Sequence, residues 1–140
     1  MVLPRACEDA FGKLIEFNTS CAPVFVQRGG LAALEIADAF VPALAERMRK
    51  RRDTLAAGLA SLAGVQAQAP AGGMYVFFRI NGQDDSLALA KRLVREHGLG
   101  LAPGAAFGPE GEGWLRWCFA SREAGRLDEG VARLRRALSL

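Results

Sequence analysis

The stretch MYVFFRI at residues 74–80 has little choice of conformation. Its β-branched and aromatic side chains crowd a helix but fit the pleated, half-buried surface of a strand. A turn at Pro70–Gly73 precedes it and Asn81–Gly82 follows it, so the strand is short. WLRWCFA at residues 114–120 reads the same way, and Val65–Gln68 and Leu99–Leu101 are shorter candidates. Between the strands lies a helix that Asp85 or Ser86 can cap, with Leu87, Ala90, Leu93 and Val94 facing inward and Gly98 ending it. A last helix presents Leu127, Val131, Leu134 and Leu138 as its apolar stripe. So few short strands cannot form two well-covered faces. The expected fold class is therefore α/β, a small short-stranded sheet with helices packed on one face.

The residues before this pattern are helical in character. Arg5–Glu16 is expected to be a short helix, and the turn formers of Asn18–Pro23 a loop. Pro23 suits the first turn of a second helix, running through Gln27, Leu31, Leu34 and Ile36 to about Ala39. Pro42 then breaks the pattern and starts a longer helix with Leu44, Met48, Leu55, Leu59 and Leu62 on one stripe, which Gly64 ends. The opposite face carries a basic run, Arg47 to Arg52. Glu46 and Asp53 flank it and no aromatic interleaves with it, so it reads as a solvated helix face rather than a nucleic-acid surface. The first forty residues fit the α/β pattern poorly. We expect residues 1–41 to be the end of another structure and residues 42–140 to form the α/β domain.

Composition excludes several classes. A net charge of +3 is mild. No apolar run is long enough to span a bilayer, and MVLPRACEDAF has no basic segment followed by a long apolar stretch, so a cytoplasmic location is expected. The cysteines (3 in number) lie far apart without CxxC spacing, which indicates neither a disulfide framework nor a zinc site. His97, the only histidine, sits at a helix end, where a cation suits the dipole.

Arg116 asks for an explanation. Strand alternation places it with Trp114 and Cys118, opposite Leu115, Trp117 and Phe119. A guanidinium cannot shed its charge, and among such neighbours it needs a partner. One reading is a structural pair with Glu110, Glu112 or another carboxylate, or a strand edge open to water. The other is a clamp for a ligand carboxylate, held by two parallel charge-assisted hydrogen bonds. The loop before it, with glycines at 104, 108, 111 and 113 and prolines at 103 and 109, is suited to an active-site rim.

At these residues a resemblance enters. PAGGMYVFFRI, then LAPGAAFGPEGEGWLRWCFA, then a terminal amphipathic helix resemble the C-terminal domain of class I pyridoxal-phosphate-dependent aminotransferases. That family has a Pro-x-Gly-Gly-x-Tyr strand, a helix, a short strand, a Pro-Gly-x-x-Phe-Gly loop and an arginine-bearing strand, in this order. The upstream EFNTSCAPVFVQRGGLAALE is similar to the end of the family's large domain, so the resemblance covers nearly the whole chain.

The resemblance implies that Arg116 binds the α-carboxylate of an amino-acid substrate, with Gly72 and Gly73 beside the pocket. It implies that Asn18–Cys21 lies near a homodimer interface, and that the Leu44–Leu62 helix joins the two domains. It implies pyridoxal 5'-phosphate as cofactor and the transfer of an amino group from an amino acid to a 2-oxo acid. The family's Schiff-base lysine lies upstream of everything in this chain, as do the groups that hold the pyridine nitrogen and the phosphate. Lys13, Lys50 and Lys91 lack the family's serine-and-lysine context. No catalytic or cofactor-binding residue is therefore assigned here, and the chain alone is expected to be inactive. A carbon–sulfur lyase of the same fold, a ligand-sensing aminotransferase-like module and a truncated product remain alternatives.

Overall fold

The computed structural model describes residues 3–123 and 125–139. Its contacts divide the chain into two units, Met1–Pro42 and Ala43–Leu140. The first unit holds helix α1 (Glu8–Asn18), helix α2 (Val24–Glu35) and the start of α3 (Ala37–Ala60). Pro23 caps α2 rather than entering it.

The break expected at Pro42 falls at Ile36 instead, and Pro42 lies inside α3. The proline falls just past the first turn of the 24-residue helix. Only one ladder bond, to the Asp38 carbonyl, loses its donor there. Neither α1 nor α2 buries any residue, and Phe17, Phe25 and Leu34 on them are exposed.

The second unit is built on a four-stranded sheet of order β1-β2-β4-β3, antiparallel throughout. The strands are β1 (Val65–Ala67), β2 (Tyr75–Ile80), β3 (Ala102–Pro103) and β4 (Trp114–Cys118). Helix α4 (Ser86–His97) separates β2 from β3, and α5 (Arg126–Ala137) closes the chain. Two-residue periodicity gives the sheet two unlike faces. Val76, Phe78 and Ile80 of β2 meet Leu115 and Trp117 of β4 in one core with Leu55 and Leu59 of α3, Leu93 of α4 and Leu134 of α5. The helices of this unit thus pack on one face. Tyr75, Phe77, Arg79, Trp114, Arg116 and Cys118 line the other, which is half-buried or exposed.

Several local expectations shift. The short strand expected at Leu99–Leu101 forms at Ala102–Pro103, because Leu99 is drawn into the core under α5 and the ladder to β4 starts only beyond it. Asp85 caps α4, its side chain accepting from the Ala88 N–H at 2.8 Å, and Gly98 ends that helix at φ 61°. The buried face of α4 is Ser86, Leu89, Ala90 and Leu93, while Leu87 and Val94 are exposed. Gly64 ends a turn into β1 rather than α3 itself, which stops at Ala60.

Candidate functional site

The open face of the sheet is where sequence and structure converge. The β2–β4 register sets Phe77 opposite Arg116, Tyr75 opposite Cys118 and Arg79 opposite Trp114. All six side chains therefore project to the same side. Beside them, Gln66 to Ala71 with Tyr75, Phe77 and Trp114 form a shallow, open concavity.

Arg116 is half-buried on this face, not sealed among the strand's apolar neighbours. Its guanidinium carbon lies 4.1 Å from the centre of the Tyr75 ring and 3.8 Å from that of Phe107. Phe107 in turn packs edge-on against Phe77, with ring centres 5.7 Å apart. Among the described residues, Arg116 makes no ion pair and no side-chain hydrogen bond. Aromatic faces thus stand where one reading of the sequence expected a carboxylate partner. Such faces satisfy the charge without occupying the planar edge of N–H donors, which stays available to a ligand.

Glu112, one of the acidic residues weighed as a partner, is engaged elsewhere. Glu112 accepts the Ser86 N–H at 2.7 Å and the Gly113 N–H at 2.9 Å. The Ser86 backbone, then its hydroxyl, then the Gly113 N–H hold the Glu112 carboxyl below its ordinary value of 4.5. Ser86 is fully buried, and its hydroxyl accepts the Ala105 N–H at 3.2 Å. Glu112 and Ser86 therefore tie the glycine–proline loop to the first turn of α4.

That loop is folded rather than slack. Two 3-10 turns, Gly104–Phe107 and Pro109–Gly111, stack so closely that a Cβ on Gly104 would overlap the Gly111 carbonyl oxygen and lie 2.7 Å from that of Trp114. Only glycine permits this approach. The stacking carries Phe107 over the open face and onto Arg116.

Gly73 lies in the exposed turn two residues before Tyr75, at φ 75°, and a Cβ there would meet nothing within 4 Å. Its backbone angle, not crowding, is what suits glycine. Gly72 beside it is likewise exposed. Sequence reasoning gives Phe107 no role. A Pro-Gly-x-x-Phe-Gly string signals a turn, and only the loop's three-dimensional course shows where its phenylalanine lands.

The second arginine on this face behaves differently. Arg79 lies 3.8 Å from Asp84 and 5.9 Å from the centre of a Trp114 ring, and its buried Nε has no partner.

Neither lysine of the unit that holds Arg116 furnishes a cofactor anchor beside it. Lys50 lies 3.6 Å from Glu46 on α3, and Lys91 is exposed on α4, on the helix-covered side of the sheet. Lys13 is exposed on α1 in the other unit. The basic run is an ion-paired helix face: Arg49 bridges Glu46 and Asp53 at 2.8 and 3.3 Å, and Arg52 meets Asp53 at 2.8 Å. Among the described residues no group of His, Cys, Asp and Glu is placed to hold a metal, and no helix is long and apolar enough to cross a membrane.

Comparison with known proteins bears on the same segments. The family model described as aminotransferase class I and II matches residues 2–134. An LL-diaminopimelate aminotransferase of Oleidesulfovibrio alaskensis is 34% identical over 88% of this chain and 31% of its own length. An aspartate aminotransferase of Musicola paradisiaca is 33% identical over 77% of this chain and 28% of its own. The solved aromatic aminotransferase of Pyrococcus horikoshii superposes with a TM-score of 0.89 at 26% identity, covering 99% of this chain and 37% of that one. The chain thus spans about a third of the length of the relatives it matches.

Proposed function

The chain belongs to the class I and II aminotransferases, and on that premise we propose that it is the C-terminal portion of a pyridoxal-phosphate-dependent transaminase whose Arg116 grips the substrate α-carboxylate. The observation that carries this reading is a half-buried arginine held by aromatic faces, with no carboxylate partner among the described residues. Its donors match a planar carboxylate in two parallel hydrogen bonds. Holding the substrate by that end orients the carbon at which the reaction occurs. The relatives are named for LL-diaminopimelate and aspartate, which differ in side chain but share the α-carboxylate.

Residues 1–41 are then the end of the large cofactor-binding domain and residues 42–140 the small domain. The division of contacts at Pro42 supports that boundary. Gly73, in the turn leading to Tyr75, borders the substrate. Pyridoxal phosphate would supply the electron sink for moving an amino group from an amino acid to a 2-oxo acid. We place its lysine anchor outside this chain, a reading supported by Lys50 pairing with Glu46 on α3 and by Lys91 lying on the helix-covered side of the sheet. A cytoplasmic homodimer completes the reading.

Treating the purified chain with pyridoxal phosphate and borohydride should give no stoichiometric adduct on any single lysine. A 2-oxo acid such as pyruvate should perturb Arg116 and have no counterpart in Arg116→Lys. One mapped, stoichiometric lysine adduct would put the cofactor site inside this chain and overturn the reading.

A further inference from the structure

We propose that Tyr75 and Phe107 are positioning residues. Together they hold the Arg116 guanidinium by its faces, so that its edge of N–H donors is presented to a carboxylate. The inference rests on the carboxylate-clamp reading of Arg116 and goes beyond it, since neither ring need touch the carboxylate itself.

The geometry is specific. An arginine side chain has several rotatable bonds, and freezing them for binding costs conformational entropy. Here two rings, one from a strand and one from a loop, approach the same guanidinium carbon at 4.1 and 3.8 Å. Carbon-to-centroid distances this short fit rings stacked on the broad face of the group, whereas a carboxylate binds in its plane, so the two interactions do not compete.

Each ring is fixed by its own means. Tyr75 sits on β2, paired with Cys118 on the neighbouring strand. Phe107 is set by the Gly104–Gly111 contact and braced edge-on by Phe77. A carboxylate or amide partner would hold Arg116 as firmly but would occupy the donors that the ligand needs. Both rings are partly exposed, 39% for Tyr75 and 47% for Phe107, so neither is a core residue whose loss would unfold the sheet.

The test uses the full chain and nuclear magnetic resonance of the Arg116 side chain, assigned by the loss of its signals in Arg116→Lys. Rings this close should displace the Arg116 Hε and Hδ resonances to high field, and Phe107→Leu or Tyr75→Leu should remove much of that displacement. Pyruvate is the probe for the carboxylate. Each leucine variant should weaken its effect on Arg116 by roughly three- to tenfold, while Tyr75→Phe and Phe107→Tyr, which keep a ring, should bind as the parent does. Circular dichroism confirms that the variants stay folded.

Normal high-field shifts lost in the leucine variants, with no pyruvate response even in the parent chain, would leave the aromatic hold on Arg116 standing and sink the carboxylate reading instead. Two results would overturn the proposal: no high-field displacement in the parent chain, or leucine variants that bind pyruvate as tightly as the parent.

Discussion

At the level of single residues, Arg116 and Glu112 show how much an ionisable group depends on neighbours that are remote in sequence. Arg116 stands out in the sequence because a cation in WLRWCFA needs a partner. Its partners are Tyr75 and Phe107, which come from a different strand and from a loop. Glu112 is unremarkable in the sequence, yet it receives the backbone N–H of Ser86 and that of Gly113, and both favour its ionised form. A carboxylate whose folded pKa lies below its unfolded value adds stability above the unfolded value, and that contribution fades as pH falls through the folded one. Glu112→Gln should therefore lower the urea midpoint at neutral pH. The gap from the parent chain should close on acidification, as the parent's carboxyl becomes protonated. Denaturation curves at a series of pH values check this, and a gap that stays constant would mean that charge is not what Glu112 contributes.

At the level of elements, the kinds of structure were legible and their details less so. The aromatic and β-branched run 74–80 becomes β2, and the cap and stop of α4 are Asp85 and Gly98, both readable from residue type. Asp85→Ala should cost about 1 kcal/mol in thermal or urea unfolding, the usual worth of an N-cap acceptor, whereas Asp85→Asn or Asp85→Ser should cost less. The face that α4 buries is not the one its apolar residues suggest. Counting apolar residues put Leu87 and Val94 inward, but the sheet takes Ser86, Leu89, Ala90 and Leu93. Periodicity finds a stripe, and the direction from which the sheet approaches decides which residues at its edges are covered. Ser86 is buried because its hydroxyl and backbone N–H both find partners in the loop. No propensity scale records that. Pro42 teaches a similar lesson: a proline disfavours helix continuation, but one lost bond near the start of a 24-residue helix is outweighed by the turns that follow.

At the level of the whole molecule, the two units differ in how they meet solvent. The unit Ala43–Leu140 owns the buried core, with Phe78 fully covered at its centre. The helices of the other unit bury no residue, and Phe25 is 77% exposed. Phe78→Ala should therefore cost about 3–5 kcal/mol, the usual range for emptying a core of a phenylalanine. Phe25→Ser should leave the unfolding midpoint nearly unchanged, since surface substitutions usually stay within about 0.5 kcal/mol. It should also reduce self-association, because it removes part of an exposed apolar face. Sedimentation and thermal melts of the two variants check both expectations. A large drop in midpoint for Phe25→Ser would mean that this helix is covered in the chain as it stands in solution.

The sequence by itself determined what depends on near neighbours along the chain: that β2 and β4 are strands and α4 and α5 helices, where α4 starts and stops, which residues of β4 share a face, and that Arg116 needs a partner. The family's ordered motifs, in register over nearly the whole chain, were legible as well. Only the tertiary structure decided the four-stranded order, the face of α4 that is covered, and the two rings that hold Arg116. Strand register and loop course bring together residues tens of positions apart, and nothing in local propensity encodes which of them will meet.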